Sequence, residues 1–137
     1  MHTLYLSLGS NLGDRRQALL TAIQCISDLI GSVVKQSSFI ETEPWGFESD
    51  HTFMNACVEV STSLAPLDVL SLTQQIERHM GRTHKSINCQ YADRIIDIDI
   101  LLYDDITLNT PELKIPHPHM LERDFVMIPL RELGVNL

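Results

Sequence analysis

Residues 95–102 read Ile-Ile-Asp-Ile-Asp-Ile-Leu-Leu, so apolar and acidic side chains alternate through the middle of the run. This period of two indicates a β-strand that buries its isoleucines on one face and presents Asp97 and Asp99 on the other. The high aliphatic content favours a central strand of a sheet over an edge strand. The sequence therefore predicts a core strand with two aligned carboxylates on its polar face.

The Asp97–Asp99 pair indicates a metal site. Two residues apart on one face of a strand, their α-carbons are about 6.6 Å apart. Carboxylates this close repel each other unless a cation lies between them, and their hard oxygens suit Mg²⁺. The alternative is an edge strand that carries acids for solubility. Because the run looks like a central strand, we favour the metal site.

Other elements can be read outward from this strand. Alternation within residues 3–8 and 54–60 predicts two further strands, and residues 33–42 form a β-rich stretch. Residues 9–14 break the first strand, and Asn11 with Asp14 can cap a helix that Gly31 stops. A second helix is predicted from Pro66 to Gly81, and a short one near 127–133.

This order of elements is β-α-β-β-α-β. It predicts an α+β fold of the ferredoxin-like type, an antiparallel sheet with its helices on one face, followed by a C-terminal extension with a short helix. If the apolar residues of each strand face the helices, the alternate residues share the uncovered face of the sheet. These are Tyr5, Ser7, Phe53, Asn55, Asp97 and Asp99.

Length, charge and cysteine usage narrow the class of protein. The 137 residues suit a single domain, 1–137. Eighteen acidic against ten basic residues give a net charge of -8, which argues against nucleic-acid or anionic-membrane partners. The three cysteines include no C-x-x-C pair, and no leader or membrane-length apolar run occurs. We expect a cytoplasmic protein.

Two further motifs carry candidate chemistry. Four of the ten basic residues, with two histidines among them, fall in or beside an irregular stretch that could neutralise a polyphosphate: Arg78, Arg82, Lys85 and Arg94, with His79 and His84. The Pro116-His117-Pro118-His119 run would hold His117 rigidly. Each motif alone is also explained by a solvated surface loop.

Taken together, these residues resemble the 6-hydroxymethyl-7,8-dihydropterin pyrophosphokinase family. The resemblance runs in order along nearly the whole chain and is most specific in the R-x-x-D-x-D segment and the P-H-P motif with its downstream arginine. The matching stretches are 8–13, 55–56, 62–66, Gln74 with Glu77, 81–82, 94–101, 116–118, and Arg123 with Phe125.

The resemblance implies an activity. The family transfers pyrophosphate from ATP to the hydroxymethyl group of the pterin and releases AMP, a step of folate biosynthesis. For this chain we expect an in-line attack on the β-phosphorus, assisted by two metal ions. Two Mg²⁺ ions bound by Asp97 and Asp99 are therefore expected, with ATP and the dihydropterin as partners, and the protein is expected to be a monomer.

The resemblance also implies roles for individual residues. Arg82, Arg94, Asp97 and Asp99 are expected to be catalytic. The pterin site is expected to comprise Thr42, Pro44, Trp45, Phe53, Asn55, Asp97 and Phe125, with Phe53 and Phe125 sandwiching the ring. The ATP site is expected to comprise Gln74, Glu77, Arg82, His84, Lys85, Arg94, Ile100, His117 and Arg123.

Two other functions remain open at this stage. A ligand-sensing ferredoxin-like module would regulate a partner and would form no AMP. An RNA-binding module would use stacked aromatic residues on a basic sheet, whereas this sheet offers two aspartates.

Overall fold

The structure is a computed structural model that describes residues 1–42, 52–81 and 95–136. Its main elements, in chain order, are β1 (His2–Ser10), α1 (Arg15–Leu29), β2 (Ser32–Gln36), β3 (Ile40–Thr42), β4 (Phe53–Thr62), α2 (Pro66–Gly81) and β5 (Asp97–Tyr103). A C-terminal region follows, with the short strands β6 (Leu108–Asn109) and β7 (Lys114–Ile115), a 3-10 helix (Met120–Glu122) and α3 (Asp124–Glu132).

The main sheet is antiparallel, with the strand order β2-β4-β1-β5. β3 also pairs with β4, so β2 and β3 together occupy the position expected for one strand over 33–42. A single strand was predicted there, and the structure divides it in two. With that division, the β-α-β-β-α-β order and the α+β class are confirmed.

One face of the sheet carries the main hydrophobic core. Leu4, Leu6 and Leu8 of β1 are fully buried there, together with the apolar sides of α1 and α2. Leu19, Ile23 and Ile26 form the apolar stripe of α1 and are buried. Asp14 caps this helix by accepting a hydrogen bond from the Gln17 amide at 3.1 Å. The helix thus begins one residue after Asp14 rather than after Asn11.

Two expectations about the strands were wrong. β1 continues through Ser10, so Gly9 is a strand residue and not part of a turn. β5 lies at one end of the strand order and pairs, within the described residues, with β1 alone, so it is an edge strand. Its isoleucines are buried because α2 packs beside it and because residues 113–117 lie along its edge, where the His117 amide donates to the Leu101 carbonyl at 3.0 Å.

The second face of the sheet is only partly open. α3 packs against β4, and a second apolar cluster buries Cys57 and Leu101 beneath Met120, Val126, Met127, Leu130 and Leu133. The expectation of a wholly uncovered face is therefore corrected: the C-terminal region covers the part of this face around Cys57 and Leu101. No helix in the described ranges has the length and apolarity needed to cross a membrane.

Candidate active site

Strand register places the polar residues of three strands in one row on the second face. Gly9 of β1 pairs with Asn55 of β4 on one side and with Asp97 of β5 on the other. Two residues earlier in β1, Ser7 pairs with Asp99. Asp97 and Asp99 are half-buried, while Ile98 between them enters the main core. The predicted side-by-side arrangement of the two carboxylates is present.

Glu77 of α2 adds a third carboxyl group beside this pair. Its Oε2 accepts a hydrogen bond from the Ile98 amide at 2.8 Å, at the outer edge of β5. Burial is the largest cause that raises the pKa of Glu77 to about 8, and the negative charge of Asp97 adds to it. The side chains of Glu77 and Asp97 are also hydrogen-bonded, so a protonated Glu77 donates to Asp97. Three carboxyl groups are thus gathered at the start of β5, with Glu77 held mainly in its protonated form.

Arg123 supplies a positive charge on the other side of the pair. Its guanidinium Nη1 lies 3.7 Å from Oδ2 of Asp99, and its side chain is almost fully buried. It also lies over the ring of Phe125, 5.4 Å from the ring centroid. Because Arg123 immediately precedes α3, the C-terminal region brings both residues to the row of polar side chains.

His117 is held as a neutral imidazole. Burial, followed by the positive charge of Arg123, lowers the pKa of His117 to about 4. Nδ1 accepts a hydrogen bond from the His119 amide at 3.2 Å, which leaves the proton of the neutral ring on Nε2. His117 is therefore suited to donate one hydrogen bond without adding a charge.

Asn55 and its neighbours form the end of the row that lies on β4. Asn55 is buried, and its Nδ2 donates to Oγ1 of Thr42 at 2.6 Å. An amide fixed in this way can present its remaining polar atoms to a planar ligand. Phe53, two residues earlier in β4, lies close to Gly9 and supplies an aromatic surface.

Two residues with no predicted role help to shape this region. Gly9 was read as a turn residue, although a glycine between alternating leucines and a polar run can also signal a close approach to a strand. Arg15, at the start of α1, donates from Nη1 to Oγ1 of Thr52 at 2.8 Å and from Nη2 to Oε1 of Glu41 at 3.1 Å. It thereby links β3 to the residue that precedes β4, and this contact had no sequence signal.

For the remaining residues predicted at the site, the structure shows no side-chain contact with the row of polar residues or does not describe them. Gln74 is exposed on α2, one turn before Glu77. The side chain of Ile100 lies in the main core, on the face opposite the aspartates, so a contact with a nucleotide would have to come from its backbone. Six predicted residues lie outside the described ranges: Pro44, Trp45, Arg82, His84, Lys85 and Arg94.

The donor set fits a hard divalent cation. In the described ranges, no group of three or more His, Cys, Asp and Glu side chains is arranged to hold a metal ion by itself. Mg²⁺ is commonly held by one or two carboxylates, with water and substrate phosphates completing its shell. Asp97 and Asp99, two half-buried carboxylates on one face of β5, match that pattern.

Comparisons with known proteins give matches over nearly the whole chain. The model of the family described as 7,8-dihydro-6-hydroxymethylpterin-pyrophosphokinase matches residues 5–135. The 2-amino-4-hydroxy-6-hydroxymethyldihydropteridine pyrophosphokinase of Porphyromonas gingivalis is 51% identical over 98% of this chain and 92% of its own length. The protein of the same name from Bacillus subtilis is 43% identical over 94% of this chain and 76% of its own length.

Solved structures share the fold at lower identity. The wild-type HPPK-DHPS of Plasmodium falciparum superposes with a TM-score of 0.74 at 19% identity, over 96% of this chain. An HPPK-DHPS solved in complex with substrates gives a TM-score of 0.76 at 15% identity. This chain spans 41% and 40% of those longer proteins, respectively.

Proposed function

The chain belongs to the 7,8-dihydro-6-hydroxymethylpterin-pyrophosphokinase family, and on that premise we propose that it transfers pyrophosphate from ATP to 6-hydroxymethyl-7,8-dihydropterin. It is an enzyme, a pyrophosphokinase of folate biosynthesis, rather than a ligand-sensing or RNA-binding module. In the proposed reaction the hydroxymethyl oxygen bonds to the β-phosphorus and the bond from that phosphorus to the α-β bridging oxygen breaks. The products are AMP, the pterin diphosphate and the proton of the hydroxyl group.

The observation that carries the proposal is the row formed by Asn55, Gly9 and Asp97 across three paired strands. It sets a buried amide, suited to a heterocycle, beside the carboxylates suited to Mg²⁺ and phosphate. The spacing between neighbouring strands is about 5 Å, so both chemistries lie within the length of one bound pterin and its hydroxymethyl group. This adjacency is what a transfer between a pterin and ATP requires.

Asp97 and Asp99 are proposed to hold two Mg²⁺ ions. When bound, such ions neutralise phosphate charge and make a coordinated hydroxyl easier to deprotonate. Arg123 keeps Asp99 oriented by its charge, and Glu77 fixes the backbone of Ile98 between the two ligands. The protein thus contributes position and electrostatic stabilisation, which dominate phosphoryl-type transfers.

Substrate contacts are proposed for both ends of the row. The pterin site would be formed by Asn55, Thr42, Phe53 and Phe125, together with Pro44 and Trp45, which lie outside the described ranges.

The ATP site would be formed by Gln74, Glu77, His117, Arg123 and the backbone of Ile100. Neutral His117 would offer Nε2–H as a donor. Arg82, His84, Lys85 and Arg94 are proposed to act on the phosphates, with Arg82 and Arg94 catalytic. The enzyme is proposed to be a cytoplasmic monomer.

The products test the proposal. ³¹P NMR of the protein with ATP, Mg²⁺ and the dihydropterin alcohol should show AMP and the pterin diphosphate, and neither when one component is omitted. Formation of ADP, or of AMP without the pterin, would contradict it.

Asp97→Asn should lower turnover at least a hundredfold because a ligand oxygen loses its charge. Asp105→Asn, an exposed aspartate after β5, is the matched control and should keep wild-type turnover.

A further inference from the structure

Gly9 occupies a place where a side chain would ordinarily be an advantage. It lies inside β1 and is paired on both sides, with Asn55 and with Asp97. Glycine weakens the interior of a strand because it loses more backbone freedom on folding and packs no side chain. A glycine in this position points to another group that must approach the backbone closely.

That group is the side chain of Asn55. A Cβ at position 9 would lie 2.8 Å from Oδ1 of Asn55, and 3.4 Å and 3.8 Å from two ring carbons of Phe53. These are the three nearest atoms, and none belongs to Asp97. A contact of 2.8 Å between a Cβ and an oxygen is too short to persist, so one partner would have to move.

The side chain of Asn55 would move rather than its strand. β4 is paired with β1 on one side and with β2 and β3 on the other, which holds its backbone in place. The amide of Asn55 is fixed by its bond to Thr42 Oγ1. A methyl group at position 9 would therefore turn this amide and weaken the hydrogen bond to Thr42.

We propose that Gly9 is a positioning residue for substrate recognition: its bare backbone lets the Asn55 amide and the Phe53 ring close over β1 in the orientation that receives the pterin. The inference rests on the proposed function, because it takes Asn55 as a pterin contact. It assigns Gly9 to the recognition of the ring and not to the binding of the nucleotide, since the nearest atoms belong to Asn55 and Phe53 alone.

Gly9→Ala tests the proposal. Calorimetry with the dihydropterin alcohol, in the presence of Mg²⁺ and a non-hydrolysable ATP analogue, should give a Kd at least tenfold above wild type. The Kd of the Mg²⁺–analogue complex by itself should change less than twofold. The side-chain NH₂ signal of Asn55 in ¹H–¹⁵N spectra of the free protein, identified by its loss in Asn55→Ala, should shift. A pterin Kd within twofold of wild type overturns the proposal.

Gly13→Ala is the matched control. Gly13 has a φ of +68° and no atom near the position of a Cβ, so alanine there strains the backbone without filling the site. This variant should lose stability while keeping both the pterin Kd and the Asn55 signal. If it weakens pterin binding as much as Gly9→Ala does, the effect is one of general stability and the proposal fails.

A double variant covers the case in which Gly9→Ala folds poorly. Asn55→Ala removes the oxygen that the new methyl group would meet, so Gly9→Ala should lower the unfolding temperature less in the Asn55→Ala protein than in the wild type. An equal or larger decrease in the Asn55→Ala protein overturns the proposed contact. A wild-type protein that binds no pterin refutes the proposed function itself, while the Asn55 signal still tests whether Gly9 positions the amide.

Discussion

His117 shows how one residue can combine a stability cost with a recognition role. The pKa of its imidazole in the folded protein is lowered from 6.5 to about 4, first by burial and then by Arg123. The unfolded chain therefore binds a proton at a higher pH than the folded protein does. The contribution of His117 to stability is complete above about pH 6.5 and is lost as the pH falls towards 4.

His117→Asn should make the free energy of unfolding depend less on pH in this range. Asparagine retains an oxygen that can accept from the His119 amide but takes up no proton in this range. The ring is partly exposed, so solvent screens its charge and reduces the effect. Relative to wild type, the variant should therefore gain on the order of 1 kcal/mol in free energy of unfolding when the pH is lowered from 7 to 4.5. Urea unfolding at both pH values measures the difference. If the free energy of unfolding of the variant falls with pH as much as that of wild type, other groups cause the loss of stability in acid.

At the scale of single elements, β5 is an edge strand whose outer hydrogen-bonding groups are partly satisfied by a side chain of α2. The amide of Ile98 faces away from β1 and donates to Glu77 of α2, while the carbonyl of Leu101 accepts from the His117 amide. Exposed strand edges invite pairing with other chains, and covering them is a common solution. Here the same contact also fixes the backbone between the two aspartates.

Glu77→Gln and Glu77→Ala should separate hydrogen bonding from charge. Glutamine keeps an acceptor for the Ile98 amide, whereas alanine leaves that amide without one and should cost about 1 kcal/mol more. The raised pKa of Glu77 means that wild-type stability falls as the pH rises from about 4.5 to about 8. The glutamine variant should lack this fall, so relative to wild type it gains stability at pH 8, on the order of 1 kcal/mol.

Chemical unfolding of the metal-free protein at pH 5 and pH 8 measures both effects. Equal stability of the two variants would exclude the Ile98 hydrogen bond as a contribution. A wild-type protein whose response to pH matches that of Glu77→Gln would contradict the raised pKa of Glu77.

At the scale of the whole molecule, the C-terminal region acts as a second core. Leu130 of α3 is fully buried against the second face of the sheet, in the cluster that includes Cys57 and Leu101. The same region carries Arg123 and Phe125 to the row of polar residues. The packing of α3 therefore supports both stability and the site.

Leu130→Ala should lower the free energy of unfolding by about 2–5 kcal/mol, since it leaves a cavity in a fully packed region. Ile128→Ala is the control on the same helix, because Ile128 is 52% exposed, and it should change stability by less than about 0.5 kcal/mol. Guanidinium unfolding curves measure both. Similar losses in the two variants would show that α3 is held by something other than this buried face.

Much of this organisation follows from local sequence pattern. Alternation predicts β1, β4 and β5, and it predicts correctly that Asp97 and Asp99 share the face opposite the main core. Pro66 and Gly81 bound α2 as their backbone preferences indicate. These features depend on neighbours in the chain, which a sequence shows directly.

Features that depend on distant contacts were not predictable in this way. The edge position of β5 depends on which strands pair with it, and local pattern does not show this. Its aliphatic residues suggested a central strand, but they are buried by α2 and residues 113–117 rather than by a second neighbouring strand. The contact of Glu77 with Ile98, the pairing of Arg123 with Asp99 and the closeness of Gly9 to Asn55 join residues 21, 24 and 46 positions apart. Local periodicity carries no information about them.

The most direct measurement is a crystal structure of the protein with Mn²⁺, a non-hydrolysable ATP analogue and the dihydropterin alcohol. Anomalous diffraction should reveal two manganese ions within about 2.5 Å of the carboxylates of Asp97 and Asp99, with the pterin ring at Asn55. Nucleotide bound with no manganese at these two aspartates would contradict the account.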